Sequence, residues 1–267
     1  MCQRSFWPEE GRGIYKKLVF WELQMAEAEN NDMADVLESQ KVEANTNFCR
    51  FIKKNYDSWL NNPNVERPML SHQLMKKVVF PELQNHACTF LIVIDNLRYD
   101  QWKVLEPVIS EFFNVDNEDA YYSILPTTTA YARNAIFSGL LPSEMERAHP
   151  DLWKGEEDDE GKNNFEEDFL ARQLKRNNIN IKFSYHKIKQ MEEGRDLADS
   201  INNLYGNKLN VIVYNFVDML SHARTEMEVL KELANDEISY RSITRSWFEH
   251  SPLNQALKKL ADKKINI

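Results

Sequence analysis

The sequence is poor in cysteine, has no excess of basic residues and lacks long apolar runs, and each shortage argues against a class of protein. Its three cysteines, Cys2, Cys49 and Cys88, are odd in number and form no CxxC pair. This argues against a disulfide framework and against a thiolate zinc site. Lys and Arg total 33 against 42 Asp and Glu, giving a net charge of -9. Sequence-independent nucleic-acid binding, which relies on basic patches, is therefore disfavoured.

The apolar segments are also too short for a membrane span. The first residues, MCQRSFWPEEGRG, contain no apolar stretch of the kind found in signal peptides. We therefore expect a cytoplasmic protein. The acidic charge still allows small phosphate substrates, because a bound cation can supply local positive charge. The length of 267 residues suffices for one large domain, or for a large domain with a small one.

Residues 1–84 have the pattern of a small helical bundle. Ile14–Glu29 and Asp35–Leu60 repeat apolar residues at helical spacing, and NNPNVERP interrupts the pattern after them. Ser71 is a suitable N-cap for a short helix through Lys77. The aromatic residues of these segments favour a packed core over a ligand site.

After Pro81, strand-like runs alternate with helical patterns, which predicts a mostly parallel sheet covered by helices on both faces. The predicted strands are Thr89–Asp95, Ile181–Tyr185 and Leu209–Phe216, and Tyr121–Leu125 is predicted to be a strand or an extended run before Pro126. The predicted helices are Gln101–Phe113, Thr129–Gly139, Phe165–Arg176, Gln190–Leu204, Glu226–Ala234 and a last one capped by Ser251–Pro252 and ending at Lys263. The fold class is therefore α/β, with a second unit at residues 85–267. The charged run Gly155–Gly161 favours a solvated loop, with a metal decoy site as the alternative.

Candidate site residues follow the predicted strands, because ligands of open α/β sheets bind at the carboxyl ends of strands. Asp95 follows the apolar run FLIVI, a position that also suits a turn-forming aspartate. Asp218 and His222 follow the strand Leu209–Phe216. Their spacing of four would place them on one side of a helix, as a metal pair requires, although this spacing is also common by chance.

Three threonines precede a predicted helix in the segment LPTTTAYARNAIFSGLLP, Leu125–Pro142. One threonine can serve as the N-cap. A hydroxyl at a helix N-terminus also suits phosphoryl chemistry, because the free N–H groups stabilise an anion there. A carboxylate, a hydroxyl and an Asp/His pair at strand ends together indicate metal-assisted phosphoryl or sulfuryl transfer, in which two cations clamp the attacking and leaving oxygens.

The motifs VIDNLRYDQW, ILPTTTAYARNAIFSGL and YNFVDMLSHARTEM resemble the PglZ branch of the alkaline phosphatase superfamily, as it occurs in PorX-type response regulators of type IX secretion. The helical segment from YKKLVFWELQMAEAE to NTNFCRFIKKNYDSWL resembles their linker bundle. The resemblance implies a two-component protein with the order receiver, linker bundle (1–84) and alkaline-phosphatase-like α/β/α sandwich (85–267). It also implies phosphodiesterase or phosphatase activity on nucleotide-type substrates.

The resemblance further implies two zinc ions and a threonine nucleophile. By the roles of the superfamily, Asp95 and Thr129 would bind one zinc, and Asp218 and His222 the other. Thr129 is the expected nucleophile because the Gly-Leu-x-Pro of phosphodiesterases matches residues 139–142, and Thr128 is the alternative.

Two neighbours in the same motif are candidates for phosphate contact. Arg133 and Asn134 lie about one turn into the threonine helix. A position on the exposed surface of the helix is the alternative for both.

The sequence departs from the family in two respects. No receiver precedes the bundle, and no Asp-His dipeptide supplies the later ligands of the superfamily. The last residues, KKINI, read as the start of the next strand. We therefore expect a fragment that is inactive and binds zinc partially or not at all, from a complete protein that holds two zinc ions and forms a homodimer.

Two other functions fit the sequence less well. A non-catalytic signalling module would use the fold to dock a sigma factor or a secretion component. A sulfatase is disfavoured because Cys88 precedes the strand, so no formylglycine precursor stands at the helix start.

Overall fold

The computed structural model describes residues 8–27, 33–62, 64–154, 161 and 163–267. Two long helices come first, α1 (Pro8–Glu27) and α2 (Ala34–Asn61), and they pack against each other. They confirm the predicted helical start of the chain. Trp59 near the end of α2 is 3% exposed and meets the ring of Tyr122 edge-on at 5.6 Å, so α2 is anchored on the rest of the protein.

The segment after α2 is more helical than the sequence indicates. A 3-10 turn (Ser71–Gln73) and a π-helical turn (Met75–Val79) lead into α3 (Phe80–Asn85). The predicted N-cap is wrong, because Ser71 is already the first residue of the 3-10 turn and no side chain caps that turn. The predicted end at Lys77 is also wrong, because helical backbone continues to Val79 and into α3, with Pro81 in its first turn. A proline is tolerated there, since the N–H it lacks would have no partner within the helix.

The described residues form a three-stranded sheet of β1 (Thr89–Ile94), β2 (Phe183–Ile188) and β3 (Leu209–Tyr214), in the order β1-β3-β2. Both pairings are parallel, and Ile94 and Ile188 both stand opposite Tyr214. The predicted α/β fold with a parallel sheet is therefore confirmed. All six residues of β3 are buried, as expected for a central strand with both faces covered.

Helices cover both faces of the sheet. The remaining helices are α4 (Tyr99–Ile109), α5 (Thr129–Ser138), α6 (Pro142–Ala148), α7 (Glu166–Arg176), α8 (Met191–Ser200), α9 (Phe216–Glu226), α10 (Glu228–Leu233), α11 (Glu237–His250) and α12 (Pro252–Asp262). On one face Val211 and Val213 of β3 join Phe137 of α5 and Phe169 of α7. On the other face Ile212 joins the residues of α4, α8 and α12.

Several predicted boundaries need correction. Residues 121–125, all described and predicted as a strand or an extended run, form no strand, and Tyr122 makes an isolated bridge with Leu70. The reason is that side chains take the backbone donors of this segment: Ile124 N–H donates to the Ser71 hydroxyl and Leu125 N–H to the Tyr56 hydroxyl. Phe216, predicted to end a strand, instead begins α9.

Other local predictions are confirmed. Gly139 follows α5 with φ +65°, the left-handed conformation in which helices often stop. The Ser251 hydroxyl accepts a hydrogen bond from Asn254 N–H at the start of α12. Near the end of the chain, Asn266 pairs with Thr89 beside β1 in a parallel bridge. Residues 155–160 of the run Gly155–Gly161 lie outside the described residues.

None of the helices in the described part of the chain combines the length and the apolar character that crossing a bilayer requires.

Candidate active site at the carboxyl edge of the sheet

Asp95 is the first residue after β1, and its backbone N–H still donates to the Tyr214 carbonyl at 2.9 Å. Asn96 then adopts φ +60°, which turns the backbone sharply away from the strand. Asparagine is one of the few residues that accept this conformation readily. The carboxylate of Asp95, 16% exposed, therefore stays at the edge of the sheet while the backbone moves on to α4.

Beneath this edge lies a buried charge cluster of five residues, Asp95, Arg133, Glu166, Tyr185 and Lys187. Arg133 Nη1 donates to Asp95 Oδ2 at 2.6 Å, and its Nε and Nη2 donate to the two oxygens of Glu166. The Tyr185 hydroxyl, at 2.5 Å, and Lys187 Nζ, at 3.2 Å, both contact Glu166 Oε2. Arg133 is 4% and Glu166 1% exposed. Two cations and two carboxylates balance each other, as buried charges require.

Burial shifts the protonation equilibria within the buried charge cluster. It raises the pKa of Asp95, and the negative charges of Asp218 and Glu166 act in the same direction against the opposing effect of Arg133. Burial lowers the pKa of Lys187, although Glu166 opposes this change. Burial and the adjacent Glu166 both raise the pKa of Tyr185, so its hydroxyl is a hydrogen-bond donor at neutral pH.

The three threonines lie at the start of α5. Thr127 and Thr128 are exposed, whereas Thr129 is half-buried and forms the first residue of the helix. Arg133 follows Thr129 by one helical turn and shares its face. Because Arg133 contacts Asp95, and helical side chains lean toward the N-terminus, the first turn of α5 lies beside the end of β1.

Asp218 and His222 occupy one side of α9, as their spacing predicts. His222 Nε2 lies 3.8 Å from Asp218 Oδ1, with the histidine 69% and the aspartate 30% exposed. Since β1 and β3 are neighbours and parallel, Asp95 and Asp218 follow adjacent strands at the same edge of the sheet. The electrostatic effect of Asp218 on Asp95 agrees with this proximity.

The two predicted phosphate-contacting residues of α5 are buried, so the alternative of a surface position is wrong for both. The guanidinium group of Arg133 pairs with the carboxylates of Asp95 and Glu166. Asn134 is 3% exposed, and its side-chain amide donates to the Ala130 carbonyl at 2.8 Å. Phosphate contact by either residue stays a prediction.

The donor chemistry at this edge suits zinc, which binds carboxylate oxygens and imidazole nitrogens. The number of donors, however, is too small for zinc. Within the described part of the chain, no group of three His, Cys, Asp or Glu is arranged to hold a metal ion, and a zinc site takes about three or four protein ligands. Asp95 also has one carboxylate oxygen occupied by Arg133.

Sequence reasoning missed Glu166, Tyr185 and Lys187. Glu166 lies 33 residues from Arg133, so no local spacing connects them. A weaker signal is present in β2: Tyr185 and Lys187 are two residues apart and therefore share one face of the strand. A lysine near the end of a strand in a covered parallel sheet is unusual enough to predict a buried partner.

Two known families match this sequence. Residues 74–258, more than half of the chain, match the BREX system PglZ alkaline phosphatase-like domain. Residues 5–60 match the PorX response regulator linker domain. The comparison with curated proteins gives no match.

Proposed function

The chain belongs to the PglZ family of alkaline phosphatase-like domains, and we propose that it forms the core of a metal-dependent phosphodiesterase or phosphatase that acts as the output domain of a response regulator. Alkaline phosphatase-like domains are generally metal-dependent and act on phosphoesters. The linker match at residues 5–60 supports the response-regulator assignment.

One observation carries this proposal: the carboxylates of Asp95 and Asp218 follow adjacent strands at the edge beside the first turn of α5. The N-terminus of α5 offers backbone N–H groups to phosphoryl oxygens, and its positive dipole end favours their charge. We propose that Thr129 attacks the phosphorus atom from this position, forms a phosphothreonine ester and releases the alcohol. The departing alcohol takes up a proton in place of the one that the threonine hydroxyl loses. Water then hydrolyses the ester, which releases the phosphoryl group as phosphate or a phosphate monoester and regenerates the hydroxyl.

Metal ions would supply what the threonine lacks. A bound cation lowers the pKa of a hydroxyl nucleophile and neutralises the charge that develops on the phosphoryl group. We propose two zinc ions in the complete protein, with Asp95 and Thr129 on one and Asp218 and His222 on the other. The described residues give each ion fewer protein ligands than zinc requires.

The finer assignments rest on the resemblance to PorX-type proteins. We propose a nucleotide-type phosphodiester as the substrate, the cytoplasm as the compartment, a homodimer as the complete form and type IX secretion as the regulated process. The linker and domain limits at 1–84 and 85–267 belong to the same proposal.

The test compares hydrolysis of a nitrophenyl phosphodiester by the protein as its gene encodes it and by three single variants. Thr129→Ala should lower kcat by about 1,000-fold or more, since a covalent nucleophile is lost. The matched control Thr127→Ala should hydrolyse normally, because Thr127 is exposed and precedes the helix. If Thr128→Ala loses activity while Thr129→Ala hydrolyses the substrate normally, the nucleophile is Thr128. Normal rates in all three would remove this segment from the reaction.

The described residues hold no complete ligand set, which favours one second candidate, a non-catalytic module that docks a sigma factor or a secretion component. This module would show no hydrolysis at saturating zinc. It would still bind its partner after Thr129→Ala.

A further inference from the structure

An ion-pair series of alternating sign connects the N-terminal helices with the elements that carry the candidate site. Its members in order are Lys41, Glu22, Arg241, Asp100, Arg98, Glu237 and Arg224. The nitrogen–oxygen distances of the successive contacts lie between 2.5 and 3.2 Å. The series begins on α2, passes through α1, α11 and α4, returns to α11 at Glu237 and ends on α9.

The middle of the series is the most buried part, and exposure rises toward Lys41 on one side and Glu237 on the other. The side chains of Arg241 and Asp100 are 5% and 10% exposed, whereas those of Lys41 and Glu237 are 41% and 44% exposed. Exposed ion pairs contribute little, but removing one partner of a buried pair leaves an uncompensated charge. Loss of a contact between Arg241 and Glu22 or Asp100 is therefore expected to disturb the surrounding structure more than loss of the exposed pairs.

The exposed end is ordered by an aromatic ring. The guanidinium carbons of Arg98 and Arg224 lie 5.2 and 4.6 Å from the ring centroid of Tyr240, a residue that is itself buried. Arg224 Nε also donates to the Ala234 carbonyl at 2.8 Å. Cation–π contact and these hydrogen bonds restrict both side chains, so Glu237 bridges two arginines that are already held.

The positions of the two arginines relate the series to the candidate site. Arg98 follows Asp95 by three residues and immediately precedes α4, and its side chain donates to Asp100 in the first turn of that helix. Arg224 follows His222 by two residues on α9. Glu237 accepts a hydrogen bond from Arg224 and forms an ion pair with Arg98. The bridge Arg98–Glu237–Arg224 thus joins the backbone that presents Asp95 to the helix that presents Asp218 and His222.

We propose that this ion-pair series positions the two halves of the candidate site and that α1 strengthens the arrangement through Glu22 and Arg241. Arg98 and Glu237 are positioning residues, because they set the separation between the end of β1 and α9 without contacting substrate. When α1 docks, Glu22 supplies Arg241 with a second carboxylate, and Asp100 is then held between Arg241 and Arg98. The catalytic significance of this arrangement rests on the proposed function, whereas the coupling between α1 and α9 does not.

The test measures amide hydrogen exchange by mass spectrometry in the 267-residue chain. Glu22→Gln removes the charge of α1 at nearly constant size, and Glu43→Gln on α2, an exposed glutamate, is the matched control. Glu22→Gln should raise exchange in residues 95–100 and in α9 by about 5-fold, the lower range of measured coupling between distant sites. The control should leave both segments unchanged. An increase confined to α1 would overturn the proposal.

A double-mutant cycle keeps the proposal testable if Glu22→Gln loosens α1 in general. Glu237→Gln alone should raise exchange in α9 while α1 stays protected, because Glu237 lies at the exposed end of the series. After Glu237→Gln, adding Glu22→Gln should change exchange in α9 by less than about 2-fold, since the connection is already broken. Fully additive effects would show that the two residues act independently and would overturn the proposal.

A kinetic measurement separates this proposal from the proposed function. In the protein as its gene encodes it, Glu22→Gln should lower kcat for the nitrophenyl phosphodiester by about 5-fold and leave KM unchanged. Exchange coupling in a protein that hydrolyses nothing would support the ion-pair series and refute the proposed function. Hydrolysis that Glu22→Gln does not affect, together with no exchange coupling, would support the proposed function and refute the ion-pair series.

Discussion

Replacing Glu166 with glutamine should destabilise the protein strongly, because Glu166 is the centre of the buried charge cluster. The wild-type carboxylate faces donors at both oxygens: two nitrogens of Arg133, the Tyr185 hydroxyl and Lys187 Nζ. Glutamine keeps one acceptor oxygen, but its NH₂ group meets further donors and makes no hydrogen bond with them. The two cations of the cluster would then share the single negative charge of Asp95.

The expected magnitude follows from the burial of the partners. Removing one member of a buried ion pair costs about 3–5 kcal/mol. Because glutamine retains one hydrogen bond, we expect a loss of about 3 kcal/mol in the free energy of unfolding. That is a large part of the roughly 5–15 kcal/mol that stabilises a typical domain. For a protein of this size it corresponds to a fall in Tm of about 6–12 °C.

Urea denaturation followed by tryptophan fluorescence measures this loss, with Glu167→Gln as the matched control. Glu167 is exposed and lies, like Glu166, in the first turn of α7. Both substitutions therefore remove a similar interaction with the helix dipole, and the difference between them isolates the buried contacts. If the two variants unfold within about 0.5 kcal/mol of each other, the reasoning about the buried charge cluster is wrong.

Three further outcomes are expected. Burial would raise the pKa of Glu118, but hydrogen bonds from Lys103 and Lys16 lower it to about 2 from 4.5. Its stabilising effect is therefore full above pH 4.5 and disappears between about pH 4.5 and pH 2. Glu118→Gln should lower the free energy of unfolding by about 1 kcal/mol at pH 7, after allowance for solvent screening, and by nothing at pH 2. Denaturation at several pH values measures this difference. Gly139→Ala should cost about 1–3 kcal/mol in the same assay at pH 7, because φ is +65° and the new Cβ would collide with the Gln173 side chain; a neutral effect would contradict this. Metal analysis of the purified 267-residue chain should find fewer than two tightly held zinc ions, and two such ions would show that ligands have been overlooked.

The sequence predicts most of the secondary structure because apolar periodicity and helix caps are local signals. Ser251 followed by Pro252 marks the start of α12, and Gly139 marks the end of α5. Three helices, α3, α6 and α11, were not predicted, and α9 was considered only as a condition for placing Asp218 and His222 on one side. For α11 a signal exists, since the Asp236 side chain accepts a hydrogen bond from Ser239 N–H as an N-cap does. Of the two alternatives for the segment at Tyr122, the strand is wrong because the backbone N–H groups of Ile124 and Leu125 bind side chains distant in sequence.

For the candidate site, the sequence predicts where side chains lie on the sheet better than it predicts which side chains contact each other. The strand-end rule brings Asp95 and Asp218 to the same edge because it depends only on the direction and adjacency of strands. No comparable rule predicts that Arg133 would turn inward and bind Glu166, because both lie in helices whose relative placement is set by packing on the sheet. Charged pairs across such distances are visible only in three dimensions.

The strand order β1-β3-β2 has a consequence for how the protein is made. β1 has only β3 as its neighbour among the named strands, and about 120 residues separate Thr89 from Leu209. At roughly 5–20 residues per second of translation, β1 waits about 6–24 s for its partner to be synthesised. During that interval Asp95 and α5 already exist without α9. The candidate site therefore comes together late in biosynthesis, and until β3 is made the unpaired edge of β1 is open to pairing with other chains.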